Sequence, residues 1–437
     1  MRLPLETLYA YPPPIWVGNS SAQQSILSHL ARVRLFGSRA AIYIHIPFCV
    51  HFCAFCGFVK AKYRADTARS YASLICEEIV TVASLAGRTQ VDAIYFGGGT
   101  ASTISIDDIA KIMACINANF SISNTAETTF EGECLTLSKP KYLTELNSLG
   151  FKRLSFGVQI AHGGARRSLN LRPSMTNLGR LADQARHLFE DVCIDYMYGW
   201  PGFTVEDTLK DLTQVVDLVD SNSVELFKFE VLDASPNLAE AFSKMFKMPL
   251  GYGEYQALHD ACSDLLQQRG FARRSYTYFS RRSMELNYYA SYYGWGGRSV
   301  LGFGVGAQSF HDGLMWGAVS DLNDYEELVR SGAIPSNVVS RFDPDEKELV
   351  TWPRRGWIPR ALVERSGNHS YCTTLQRHMN LGLVEVGSKY FRLAPGQWHA
   401  VPSMMHEYLS SSDREIIEGQ SWGRAAERAV EPSDLML

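Results

Sequence analysis

The sequence lacks an excess of positive charge: 42 Lys and Arg face 46 Asp and Glu, a formal net charge of -4. A nucleic-acid backbone is held by clustered cations. The basic runs are short, such as Arg166-Arg167, Arg273-Arg274 and Arg281-Arg282, so no nucleic-acid partner is expected. No apolar run is long enough to cross a bilayer, so no membrane partner is expected either. The first residues, MRLPLETLYAYPPPIW, are broken by prolines and charges and do not resemble a signal peptide; the expected location is the cytoplasm. The nine cysteines are an odd number without a secretion signal, which argues against a disulfide framework. Composition is ordinary for a folded protein, with 46% hydrophobic and 20% charged residues. The length of 437 residues suits two or three domains, or one large one with appendages.

Hydrophobic patterning divides the chain. Residues 1–39 read as an N-terminal arm, with Tyr11-Pro12-Pro13-Pro14 followed by a helical pattern through Ile26, Leu27, Leu30 and Val33. From Ala40 strands and helices alternate. Strands are expected at 41–46, 91–96, 127–130, 153–158, 192–198 and 223–231. Helices are expected at 67–86, from Ile106 with Ser105 as N-cap, at 135–149 and at 205–219. Such alternation predicts an α/β fold, a parallel sheet with helices outside it, as a barrel or part of one. In barrels of this kind the chemistry lies on loops at the C-terminal strand ends. There fall the cysteines after the first strand, Gly97-Gly98-Gly99-Thr100 after the second, then Glu131, Gln159 and Asp195. The alternation weakens near residue 250. The core is assigned to 40–260, an extension of it to 261–334, a small C-terminal domain to 335–410, and a tail to 411–437. In the small domain a helix near 373–381 and a hairpin from 383–386 and 390–393 resemble a winged-helix-like α+β unit.

Cys49, Cys53 and Cys56 are the densest chemical signal. Three thiolates on one loop suit three irons of a cubane cluster, leaving the fourth iron open to a small ligand. Spacing alone also permits a zinc site, with His45 or His51 as fourth ligand, or a redox pair at Cys53 and Cys56. The other six cysteines read as small buried hydrophobes.

Several strings in order resemble the radical S-adenosylmethionine (SAM) superfamily, and within it the oxygen-independent coproporphyrinogen oxidases and their relatives. They are Tyr-Ile-His-Ile-Pro-Phe-Cys at 43–49, Ile-Tyr-Phe-Gly-Gly-Gly-Thr at 94–100, Arg-Leu-Ser-Phe-Gly-Val-Gln at 153–159, Ile-Asp-Tyr-Met-Tyr-Gly-Trp-Pro at 194–201 and Leu-Gly-Phe-Gly-Val-Gly-Ala at 301–307. The resemblance spans about residues 40–310. It implies a partial (β/α)6 TIM-like radical SAM barrel, a [4Fe-4S] cluster on Cys49, Cys53 and Cys56, and SAM. It further implies SAM contacts at Tyr43, Phe55, Gly98, Gly99, Thr100 and Glu131, a second SAM near Gln159, Arg172 and Asp195, and a further contact at Gln308. The implied partners are a small-molecule substrate and an electron donor such as flavodoxin or ferredoxin.

The residues resembling a second SAM site lead to one expected reaction. An adenosyl radical would take hydrogen from the methyl group of the second SAM, and the methylene radical would add to an unsaturated carbon, giving C-methylation or cyclopropanation. Tetrapyrrole chemistry is the alternative: coproporphyrinogen III dehydrogenation or radical opening of haem. Phe58 stands where the coproporphyrinogen enzymes have a further cysteine, whereas haem-opening enzymes have a similar Cys-Gly-Phe string. Tetrapyrrole propionates call for cations, with Arg281-Arg282 and Arg354-Arg355 as candidates. A haem chaperone would keep the fold and cluster without oxidative chemistry. Glu131, Glu230 and His45 are candidate bases. The aromatic group Tyr276, Tyr278, Tyr288, Tyr289, Tyr292, Tyr293 and Trp295 suits either a packed core or a wall for a flat substrate.

Overall fold

The computed structural model describes residues 11–33, 39–87, 89–229, 252–283 and 286–419. Six strands form its centre: β1 Arg39–Ile46, β2 Gln90–Gly98, β3 Ser121–Gly132, β4 Arg153–Gln159, β5 Asp191–Tyr198 and β6 Ser223–Lys228. Each pairs parallel with the next. Six more join the same sheet: β7 Ala272–Arg273, β8 Tyr278–Ser280, β9 Ser299–Phe303, β10 Gln308–His311, β11 Leu314–Ala318 and β12 Ser336–Arg341. The order is β12-β11-β10-β9-β1-β2-β3-β4-β5-β6-β8-β7. Of the added strands β9 is parallel to β1, and the others are antiparallel to their neighbours. The sheet therefore curves as an open, partial barrel of the expected α/β class.

The side-chain period of two sorts the strands into faces. Ile42, Ile44, Ile94, Phe96, Phe130, Leu154, Phe156 and Ile194 are buried in the core shared with the helices. Each such side chain contributes about 1.5–3 kcal/mol on burial. Their alternates, such as Ala41, Ala93 and Tyr95, belong to a separate inner cluster. The outer helices include α1 Asn19–Val33, α2 Ala65–Ala86, α3 Ile106–Asn119, α4 Tyr142–Ser148, α5 Met175–Arg186 and α6 Val205–Val219. α2 buries Ala68, Ala72, Ile75, Ile79 and Val82 at helical spacing. Ser105 caps α3, its hydroxyl accepting from the Asp108 N–H at 3.1 Å, as the sequence predicts. Thr204 and Asp207 form a reciprocal capping box at α6.

Two local expectations fail for physical reasons. The helix expected over 135–149 is broken into Cys134–Leu137 and α4, because Pro140 has no N–H to continue it and Lys141 takes a left-handed φ of 65°. Strand β3 starts six residues earlier than expected, through Ser121-Ile122-Ser123-Asn124-Thr125, whose polar character hid it; its pairing with β2 slips between Val91 and Ala93. The strand expected to 231 is described only to Lys228, and Glu230 lies outside the described residues.

After β6 come α7 Tyr252–Gln268, α8 Asn287–Tyr292 and α9 Leu322–Arg330. A second core around Trp352, Ile358, Leu362, Val401 and Met404 organises the C-terminal residues. There α10 Pro344–Thr351, α11 Arg360–Ser366, α12 His369–Asn380 and α13 Val401–Tyr408 surround β13 Trp357–Pro359, β14 Val384–Val386 and β15 Tyr390–Leu393. The expected hairpin is β14–β15, and β13 completes it on the other side of β15. Ser411–Gly419 is helical. The N-terminal stretch reaches this core: the Tyr11 hydroxyl donates to Asp413 at 2.9 Å.

Candidate functional site

The cysteine loop leaves β1 at Pro47 and is closed by its own backbone. Ala61 N donates to Pro47 O at 2.8 Å, and Tyr63 N to Cys49 O at 2.9 Å. Within it Cys56 N turns back onto Cys53 O at 3.3 Å, and Lys60 Nζ donates to Cys56 O at 2.6 Å. A second loop docks against it: Ala54 N donates to Leu169 O at 3.1 Å, and Asn170 Nδ2 to Phe52 O at 2.7 Å. All three thiols are free, Cys49 buried and the others half-buried. Burial, then neighbouring thiols, pushes Cys53 up to about 12. Burial also raises Cys49, against a Thr100 hydroxyl that donates to its sulfur at 3.5 Å. Bound iron reverses such a bias, because a coordinating thiol is held deprotonated.

The glycine run has a function the sequence could not show. A methyl group at Gly99 would run into the Pro47 carbonyl, 2.7 Å from its carbon and 2.9 Å from Cys49 Sγ. At Gly98, where φ is +116°, it would lie 2.7 Å from Ile46 O. Gly99 N instead donates to Ile46 O at 2.8 Å. Glycine is thus required by the close approach of the β2 end to the cysteine loop itself. Three free thiols on one loop, seated on a backbone that no Cβ crowds, fit a cluster held by three thiolates.

The zinc alternative loses its fourth ligand at His45. Its Nε2 lies 2.9 Å from Val59 O and its Nδ1 3.1 Å from the Tyr43 hydroxyl. A carbonyl only accepts, so Nε2 carries the proton and Nδ1 accepts. Burial lowers the ring to about 4. His45 is therefore neutral, with both ring nitrogens engaged. His51 is exposed. Among the described residues, no three His, Cys, Asp or Glu side chains converge as ligands of one metal ion.

Below the cysteine loop the inner face of the barrel is polar. Tyr95 donates to Glu131 at 2.7 Å. Asp195 of β5 and Glu225 of β6 are register partners on adjacent strands. The Tyr289 hydroxyl donates to Glu225. Burial raises Glu131, and Glu225 adds to this, against the Tyr95 hydrogen bond. Burial, then Glu131 and Glu225, raises Asp195 well above the usual carboxylate range. Lower still, Arg153 is 1% exposed and pairs with buried Asp191 at 3.0 Å. Helix α8 closes this interior: Tyr288 N donates to Glu127 at 3.3 Å, and the Tyr288 ring stacks on Tyr95 at 4.4 Å. Tyr43 lies 6.0 Å from both rings.

The structure thus brings Tyr43, Glu131 and Asp195 into one interior, with Gly98, Gly99, Thr100 and the cysteines directly above. Gln159, at φ 69°, folds back over Gly157, the register partner of Asp195. Phe55 packs with a cluster containing Ile160, Met197, Trp200 and Phe229. Arg172 is exposed, two residues beyond the Asn170 contact with the cysteine loop. Gln308 starts β10, next to Gly302 of β9, which pairs with Tyr43.

Of the candidate cations, Arg281 and Arg282 are exposed, outside the interior. Arg281 bonds Asp220 at 2.8 Å and Ser221 O at 3.2 Å, ahead of the start of β6. Arg355 pairs with Glu348 and lies 4.0 Å over Trp357. Arg354 is buried, 4.8 Å over the Tyr293 ring. Sequence reasoning missed Tyr95, Arg153 and Glu225. A period of two back from Gly157 reaches Arg153, and the same step back from Phe227 reaches Glu225, so phase could have found them.

Residues 43–215 match the family model of the Radical SAM superfamily. The chain is 26% identical over 303 residues to anaerobilin synthase of Escherichia coli O157:H7, across 69% of this chain and 67% of that protein. It is 26% identical over 335 residues to heme chaperone HemW of Bacillus subtilis, across 74% and 86%. Oxygen-independent coproporphyrinogen III oxidase of Escherichia coli K12 is 27% identical over 315 residues, across 69% and 67%. The solved structure of coproporphyrinogen III oxidase (HemN) from Escherichia coli shares the fold, with a TM-score of 0.77 over 92% of this chain and 97% of that chain at 22% identity. No helix among the described residues is long and apolar enough to cross a membrane.

Proposed function

We propose that this chain, which carries a radical SAM domain and has HemN-like homologues, acts on a tetrapyrrole by radical chemistry. Enzymes of this family use a [4Fe-4S] cluster and SAM, which when bound supply a 5′-deoxyadenosyl radical. Cys49, Cys53 and Cys56 would hold the cluster. Gly98, Gly99 and Thr100, beside the cysteine loop, would approach the methionine end of SAM, Tyr43 and Glu131 would make further SAM contacts, and Gln308 borders the same strands. The work left to the protein is to orient the substrate and exclude water.

One observation carries the choice of substrate. Tyr288, Tyr289, Tyr292 and Tyr293 form an aromatic cluster packed against Tyr43 and Tyr95 of the sheet's inner face, and aromatic rings suit a flat or pyrrolic macrocycle. The relatives named for coproporphyrinogen, heme and anaerobilin support the same substrate class. The C-terminal unit backs this cluster: Trp295 Nε1 donates to Thr351 at 3.2 Å, and Gly296 N to Glu348 at 2.7 Å. We assign it the role of a cover over the substrate. An electron donor of the flavodoxin or ferredoxin class would serve the cluster.

The test is anoxic incubation of reconstituted protein, reductant and SAM with haem or with coproporphyrinogen III, followed by chromatography. Consumption of either tetrapyrrole supports the proposal. Haem bound and passed on intact, without SAM turnover, would favour a chaperone.

C-methylation or cyclopropanation with two SAM molecules is the second function considered. It is favoured by Gln159 folding over the partner of Asp195, with Phe55 and the loop bearing Arg172 on the same side. SAM with a deuterated methyl group decides it: deuterium in 5′-deoxyadenosine supports hydrogen transfer from a SAM methyl, and its absence removes this function.

A further inference from the structure

The floor of the barrel holds an arginine with more donors than partners. Arg153 Nε donates to Asp191 at 3.0 Å, while Nη1 and Nη2, both buried, have no acceptor among the described residues. The pairing is fixed from behind. Ser223 donates to the other Asp191 oxygen at 2.7 Å, the Tyr278 hydroxyl donates to Ser223 at 2.8 Å, and the guanidinium lies 5.6 Å from the centre of the Tyr278 ring. One edge of the fork is pinned and its outer end is open.

Arg153 shares a face of β4 with Gly157, the register partner of Asp195. The Arg153 charge acts on Glu131, Asp195 and Glu225, which approach from β3, β5 and β6, and on Tyr289 from α8. Buried N–H groups are nearly always paired. Two parallel guanidinium nitrogens match the two oxygens of a carboxylate, which a lysine cannot do. The surrounding acids do not forbid an anion. Burial favours the protonated forms of Glu127, Glu131, Asp195 and Glu225, repulsion adds to this at Glu131 and Asp195, and the Arg354 charge also reaches Glu225.

We propose that Arg153 anchors a carboxylate arm of the substrate, a propionate side chain in a tetrapyrrole, at the floor of the barrel. Neither Arg281-Arg282, which are exposed, nor Arg354-Arg355, which are engaged with Tyr293, Glu348 and Trp357, has this geometry. The inference rests on the tetrapyrrole function above.

The experiment is equilibrium dialysis under anoxia, with the full reconstituted chain and SAM, of coproporphyrinogen III against its tetramethyl ester. The wild-type protein should hold the acid about tenfold or more tighter than the ester. R153K, shown to be folded by its thermal melt, should reduce that preference to about threefold or less. Equal binding of acid and ester by the wild type, or an undiminished preference in R153K, overturns the anchor while leaving the tetrapyrrole function standing. Binding of neither compound, with haem also unbound in the same dialysis, overturns the tetrapyrrole function itself. If R153K does not fold, a crystal structure of the wild-type complex decides. A substrate carboxylate within about 3.2 Å of Arg153 Nη1 or Nη2 supports the anchor, and a carboxylate held elsewhere overturns it.

Discussion

Replacing Gly99 by alanine should cost both stability and cluster. The new methyl group would be 2.7 Å from the carbonyl carbon of Pro47 and 2.9 Å from Cys49 Sγ, where ordinary contacts begin near 3.4 Å. The first obstacle is backbone, between β1 and the cysteine loop, so relief requires moving the loop by the better part of about 1 Å rather than turning a side chain. Overpacking of this kind costs about 1–3 kcal/mol, and an immobile backbone neighbour places G99A at the upper end, about 3 kcal/mol. In a chain of this size that lowers Tm by about 3 °C. The displaced atom is a thiolate ligand of the proposed cluster, so iron bound after anoxic reconstitution should fall to less than about half of the wild-type content. Gly253, in α7 with nothing within 4 Å of an added Cβ, is the control: G253A should keep full iron and melt at or slightly above the wild-type temperature. A G99A protein with full iron and an unchanged melt refutes the reasoning.

Glu78, buried where Gly304 N and the Tyr325 hydroxyl donate to it at 2.8 and 2.6 Å, is raised by burial from 4.5 to about 7. Below pH 4.5 it is neutral whether the chain is folded or not; between there and pH 7 the unfolded chain ionises first and stability is lost, to about 2–3 kcal/mol. Urea melts of E78Q and wild type should therefore agree near pH 4 and diverge in favour of E78Q by pH 8, and parallel profiles would count against a buried, proton-holding Glu78. Tyr71 donates to His45 O at 2.9 Å and accepts from Val305 N at 2.8 Å, so Y71F should cost about 2 kcal/mol in thermal unfolding; a loss under about 0.5 kcal/mol means neither bond matters. Y292L should raise the apparent KM for a tetrapyrrole and leave substrate-free SAM cleavage unchanged, whereas unchanged kinetics would remove Tyr292 from the substrate wall.

The parallel alternation of strands and helices was legible because buried strands such as Ile42–Ile46 and Val192–Tyr198 are nearly continuous in apolar residues, and because Ser105 marks a helix start by its own chemistry. The polar start of β3 was not legible, since pairing with β2 overrides its weak local signal. Nor were β7 to β12 legible as members of the same sheet, because sheet order is a property of long-range pairing. At the site, the family resemblance brought out Glu131 and Asp195; strand-end placement supports Glu131, whereas Asp195 lies within β5. Arg153 and Glu225 stayed hidden because a charged residue inside a strand reads as solvent-facing until neighbouring strands fix which face is interior. The partners of His45 were hidden for the same reason: Val59 O and Tyr43, which take both its nitrogens, are brought there only by the fold.

The most direct test of the central claim is the yield of 5′-deoxyadenosine from SAM under anoxic, reducing conditions, measured with and without haem or coproporphyrinogen III, in the wild type and in C49A, C53A and C56A. A radical SAM enzyme acting on a tetrapyrrole should release 5′-deoxyadenosine, release more of it when one of these tetrapyrroles is present, and lose all of it in each cysteine variant. Wild-type protein that carries an intact cluster yet forms none, or cysteine variants that form as much as the wild type, would contradict the claim.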